Sequence, residues 1–308
     1  VSPTTGAISW RVRYRTPEGA ARSKSFSKKR DADQYARNVE TAKHVGLFVD
    51  PRLAEVSVGE WAAKWLKTKS NIKPSTRQRY QEVIDAHIVP RWGATRLASV
   101  RHEDVQEWLN GLDRAPATVR KTHRVFSQVL GFAVKSRRLT ENPAKGVTLP
   151  TIDPAPRRYL THTQVEALAA EVGPRWRLLV LFLAYTGLRW GEVAALRVSS
   201  LDLLRRRVIV AESVTPVDGV LVFGTPKNHE CREVPIPRFL VKELEAHIMG
   251  KGRDSLVFTT PRGGVLRAGN FQRVLSPAAE VLGLCEPKLD DDGEAVVVRK
   301  LVGGEPIE

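Results

Sequence analysis

The run Leu-Leu-Val-Leu-Phe-Leu at 178–183 has no polar position, so it reads as a helix buried on every side. Gly187 supplies a helix stop, and a second helix begins at once with Arg189 and Glu192, three residues apart and on one face. A helix of that composition needs a packed domain around it, and here it fixes an arginine at the domain's mouth. The two charged residues also fit an ordinary ion pair at a helix start, and the segment alone leaves both readings open.

The chain's 308 residues and 42% hydrophobic content allow two or three packed domains. Its formal charge of +15 favours a polyanionic partner, nucleic acid first, because neutralised phosphates release counterions. The charge is uneven. Residues 1–30 carry eight basic side chains against Glu18, and residues 116–158 carry nine against Glu141 and Asp153, whereas residues 285–308 hold seven acids and three bases. Cys231 and Cys285 are far apart and lack metal-site spacing, so neither a disulfide framework, a metal nor a cofactor is implied, and the chain reads as cytoplasmic. No window has the apolar length of a membrane span, and no signal peptide is visible.

Periodicity divides the chain. Residues 8–26 alternate apolar and basic positions across Thr-Pro-Glu-Gly at 16–19, a hairpin pattern, with a helix to follow over about 29–45. Trp10, Val12 and Tyr14 would face that helix, leaving Arg11, Arg13 and Arg15 in a row on the other face. Such a ribbon, with Lys24 adding to its charge, suits phosphates and base edges in a major groove. Helical periods follow over 57–70, 74–90, 100–113 and 116–139. Ser57 with Glu60 and Ser75 with Gln78 read as capping boxes, and Pro74 and Pro116 sit near helix starts. Short connections make these four a bundle, with Trp61, Trp65 and Trp108 as core. Arg77, Arg79, Lys121, Arg124, Arg137 and Arg138 fall on polar faces, able to track a phosphate backbone or simply to be solvated. The proline-rich stretch 141–158 reads as an extended linker. Thr161 and Gln164 form another capping box. Strands are expected over 207–211, 220–223, 232–236 and 256–260, with a turn at Asp218-Gly219 and helices at 239–247 and up to about 284.

The Arg189 box, with Lys227 following it between two strands, resembles the tyrosine recombinases of the phage integrase family. The resemblance implies an α+β, mainly α fold. Residues 1–50 would be an arm-type DNA-binding domain with a small hairpin and helix, and 56–143 a SAM-like, four-helix core-binding domain. Residues 158–284 would be a partial, mixed α/β catalytic domain of the DNA breaking-rejoining type, and 285–308 a divergent acidic tail. In that family the arginine at the Arg189 position grips the scissile phosphate, the neighbour at Glu192 supports it, and the lysine at Lys227 protonates the leaving 5′ oxygen. The implied partner is double-stranded DNA bearing attachment-type sites with inverted repeats, bound by a homo-oligomer and without a membrane.

The family's next motif is a histidine with an arginine three residues on, a second histidine or tryptophan, then a nucleophilic tyrosine. Here the last histidine is His247, the last tryptophan Trp190 and the last tyrosine Tyr185. The expectation is therefore a phage- or prophage-type integrase for site-specific DNA integration and recombination that binds DNA but lacks its nucleophile. A stand-alone DNA-binding regulator or decoy built from the same domains is the alternative, and an RNA-binding protein fits the charge but not the order of motifs.

Overall fold

Strands β1 (Trp10–Arg15) and β2 (Ala21–Phe26) pair antiparallel, and helix α1 (Lys29–His44) packs on one face of the hairpin. The computed structural model describes residues 8–17, 19–45, 48–152, 159–226 and 231–285. Glu18, Lys227, His229, the end of the proline-rich stretch and the acidic tail beyond Cys285 lie outside them. The chain falls into two units, Val1–Pro154 and Ala155–Glu308.

In the first unit, Tyr14 meets Tyr35 of α1 through their hydroxyls at 3.2 Å and lies edge-on to Phe48. The bundle comprises α2 (Val58–Lys67), α3 (Pro74–Val83), α4 (Val89–Trp92), α5 (His102–Asn110) and α6 (Pro116–Lys135). The Ser57–Glu60 capping box forms as expected, with both reciprocal bonds at 3.2 Å. The expected box at Ser75 does not: Pro74 opens α3 at its first position, Lys73 is the cap residue, and Ser75 is already inside the helix. Residues 74–92 do not form one regular helix either. Pro90 has no N–H and its ring crowds the preceding turn. A wide turn over Ile84–Ile88 precedes it, in which the Val89 N–H reaches back five residues to the Ile84 carbonyl. Trp61, Trp65 and Trp92 are fully buried, Trp61 stacking on Phe132 and Trp92 on Phe126, so the tryptophans form the core. The stretch read as an extended linker is fastened along its first half: Asn142 donates to the Ser127 carbonyl, Gln106 bonds both sides of Thr148, and Arg120 donates to the Pro150 carbonyl.

The second unit is built around α8 (Pro174–Thr186), which α7 (His162–Glu171) precedes and α9 (Trp190–Ala194) follows. The Thr161–Gln164 capping box is present. Strands β3 (Leu201–Asp202), β4 (Arg207–Val210), β5 (Ser213–Val217), β6 (Val220–Gly224) and β7 (Arg232–Pro235) make a sheet of order β3-β4-β7 and a separate β5–β6 hairpin, closed at Asp218 and Gly219, both with positive φ. Helices α10 (Arg238–Ile248) and α11 (Ala268–Val281) complete it. Leu178–Phe182 of α8 are buried with Val208 and Val210 of β4, Leu240 and Leu244 of α10 and Phe271 and Val274 of α11. The expected strand at 256–260 is only a pair of single bridges, Arg197 to Leu256 and Thr259 to Val265. Among the described residues no helix is long and apolar enough to cross a membrane.

Candidate functional site

Gly187 ends α8 with φ +63, its N–H returning to the Leu183 carbonyl at 3.1 Å. That left-handed residue turns the chain so that Leu188 is buried and Arg189 caps α9. Glu192 stands at the third position of α9 and accepts the Arg189 backbone N–H at 2.9 Å and its side-chain Nη1 at 3.1 Å. Gly191 brings the short helix against β5, because an added Cβ would lie 2.6 Å from the Val214 carbonyl oxygen and 2.7 Å from Ser213 Oγ. The pair expected from the sequence is thus assembled, on a helix packed closely against β5.

Arg232, on β7, completes the arrangement. Its Nη1 and Nη2 donate to Glu192 Oε1 and Oε2 at 2.9 and 2.7 Å, a two-pronged pair. The Glu192 side chain is 1% exposed, against 56% for Arg189 and 36% for Arg232. Burial by itself would raise the Glu192 carboxyl. The fork from Arg232 and the bonds from the Arg189 backbone and side chain overcome it and hold the pKa at about 2. Glu192 is therefore a buried anchor that is charged at neutral pH. It fixes the base of Arg189 while the guanidinium faces solvent, which is the geometry for receiving an anion.

The sequence reading missed Arg232, treating it only as the start of a strand. The available signal was Glu192 itself: a carboxylate amid Val193, Ala194, Ala195 and Leu196 must be buried, and a buried charge needs more than a solvent-facing partner. Lys227, in the connection leading into β7, lies outside the described residues.

The remaining basic residues separate into groups. Arg11, Arg13 and Arg15 are exposed, and the register sets them opposite Ser25, Ser23 and Ala21, so only small side chains stand beside the row. Lys24 pairs with Val12 and so lies on the opposite, helix-facing side, its Nζ 4.8 Å from the Tyr35 ring centre. Arg77 donates to the Leu66 and Lys69 carbonyls at 3.2 and 2.8 Å, closing the end of α2, and Arg138 donates to the Leu53 carbonyl. Arg77 and Arg138 thus bond backbone carbonyls of the fold, whereas Lys24 remains exposed. Arg79, Lys121 and Arg124 are exposed and carry no ion pair or hydrogen bond among the described residues. Of the tyrosines, Tyr185 meets His162 Nδ1 through its hydroxyl at 2.9 Å, and Tyr80 lies against Trp65.

Residues 57–112 match the family model of the phage integrase N-terminal SAM-like domain, and residues 158–289 match that of the phage integrase family. The integrase of Mycobacterium phage L5 is 25% identical over 245 residues, covering 77% of this chain and 66% of that protein. The integrase of Mycobacterium phage FRAT1 is 27% identical over 247 residues, covering 77% and 73%. This chain thus spans about two thirds of the length of the L5 integrase. Among solved structures, the Tn1549 transposon integrase in complex with a circular intermediate DNA superposes with a TM-score of 0.65 at 19% identity, over 80% of this chain and 83% of that one. A lambda integrase tetramer bound to a Holliday junction gives a TM-score of 0.60 at 19% identity, over 89% and 82%. At such identities these two likenesses bear on the fold.

Proposed function

This chain belongs to the phage integrase family of tyrosine recombinases, and from that premise we propose that it binds duplex DNA at attachment-type inverted repeats in site-specific integration and recombination. The exposed arginine row of the hairpin engages one DNA segment, and Arg79, Lys121 and Arg124 on the bundle engage the backbone of another. In the second unit Arg189 receives a backbone phosphate. The observation that supports this reading is the buried Glu192 carboxylate, which holds a solvent-facing arginine at a helix start.

In strand exchange a tyrosine oxygen attacks phosphorus, the P–O bond to the 5′ oxygen breaks, and that oxygen leaves with a proton. Arg189 stabilises the nonbridging oxygens, and Lys227, at the family's lysine position, is the group to protonate the leaving oxygen. Within residues 1–308 no tyrosine follows Tyr185, and arginine or lysine cannot replace a nucleophile. Our reading is that residues 1–308, taken alone, bind the site without forming a phosphotyrosyl bond. The test incubates the chain with a nicked suicide substrate that traps such a bond, followed by a denaturing gel, beside native gel shifts at graded salt. Binding without a covalent band is the expected result. A covalent band overturns the inactive reading, and absence of binding at low salt overturns the DNA-binding one.

A further inference from the structure

Two guanidinium groups converge on Glu192, one from the start of α9 and one from β7. Both donate to Oε1, Arg189 at 3.1 Å and Arg232 at 2.9 Å, so no more than two hydrogen-bond lengths separate their Nη1 nitrogens. The nonbridging oxygens of one phosphodiester lie within reach of a pair so spaced. Each guanidinium has five N–H donors. Glu192 takes one from Arg189 and two from Arg232, and among the described residues no other acceptor takes the rest. Both side chains remain open to solvent while the carboxylate between them is sealed. Two arginines against one carboxylate leave a single net positive charge, matching the single negative charge of a phosphodiester.

We propose that Arg232 is a second phosphate-binding residue of this site, gripping with Arg189 one backbone phosphate and held in register with it by Glu192. This rests on Arg189 being a phosphate ligand. Arg232 comes from strand β7 and gives the site a second guanidinium group beside Arg189.

The test measures binding of the full chain to duplex DNA by fluorescence anisotropy between roughly 50 and 200 mM salt, reading the slope of log K against log salt. R232Q is expected to reduce the steepness by about 0.9, the equivalent of one phosphate contact. R232K, which keeps the charge but not the fork, is expected to return the slope to the parent value while lowering the thermal midpoint. A folded R232Q variant with an unchanged slope overturns the proposal. R189Q separates the two levels of failure: if it lowers the slope and R232Q does not, only the role of Arg232 falls, and if neither does, the phosphate-binding reading of the site falls too. Should R232Q fail to fold by circular dichroism, the E192Q/R232Q double variant, which leaves no orphaned carboxylate, is judged by the same criterion.

Discussion

At Glu192 burial and hydrogen bonding act on the carboxyl in opposite directions, and the bonds win, placing its pKa at about 2 against an ordinary 4.5. A carboxyl depressed in the folded state stabilises the fold above its unfolded pKa, and that contribution is lost as pH falls through the folded value. The size is on the order of 3 kcal/mol. The second unit should therefore lose stability between about pH 4.5 and pH 2, whereas E192Q, less stable than the parent near neutrality, should lose less over that window. Urea unfolding near pH 6 and near pH 3 measures this, and equal losses in the two proteins would count against the assignment. In the first unit Asp50 also sits below the ordinary carboxylate range: burial pulls it up, but Arg22 and the Arg52 backbone N–H pull it down further. Gly191 offers a sharper steric test. A methyl group there meets the Val214 carbonyl and Ser213 Oγ inside contact distance, so Gly191→Ala should destabilise by about 1–3 kcal/mol in urea titrations, as other overpacked sites do.

The helix starts at Ser57 and Thr161 carry complete capping boxes, with Glu60 and Gln164 as their partners. Ser57→Ala and Thr161→Ala should each cost about 1 kcal/mol, with the Ser75→Ala change near zero because Ser75 caps nothing. Chemical denaturation of the three variants checks the ranking. At this scale the sequence was readable wherever one short-range signal decided the outcome. The hairpin register follows from strict alternation, α8 from its apolar run, and the Arg189–Glu192 pair from a three-residue spacing. It was unreadable where a distant partner decided. Arg77 turned inward because the end of α2 presents it with carbonyls, and Lys24 fell on the helix face because the register pairs it with Val12. Arg232 joined the site because β7 pairs with β4 and brings it to Glu192, a contact between residues forty apart in the chain.

The two units have separate buried cores, one around Trp61, Trp92 and Phe126 and one around Leu179, Leu181 and Phe182. Each core should report its own melting. Trp61→Ala and Phe182→Ala, worth about 3–5 kcal/mol apiece, should each shift a different part of the calorimetric trace. A single transition displaced equally by both would instead mean that the units unfold as one. On the reading proposed above, DNA binding engages both units, but unequally in time. The hairpin arginines and the bundle's unpaired cations present uncancelled charge to an approaching duplex, whereas Glu192 leaves its two arginines with the field of only one. Long-range attraction therefore belongs to the first unit, and the second acts only on arrival. Changing Arg11, Arg13 and Arg15 to glutamine should slow association in stopped-flow measurements, while R189Q should shorten the residence time and leave the association rate nearly as it was. A carboxylate sealed beneath two arginines thus divides capture from retention, making the site slow to let go without making it quick to catch.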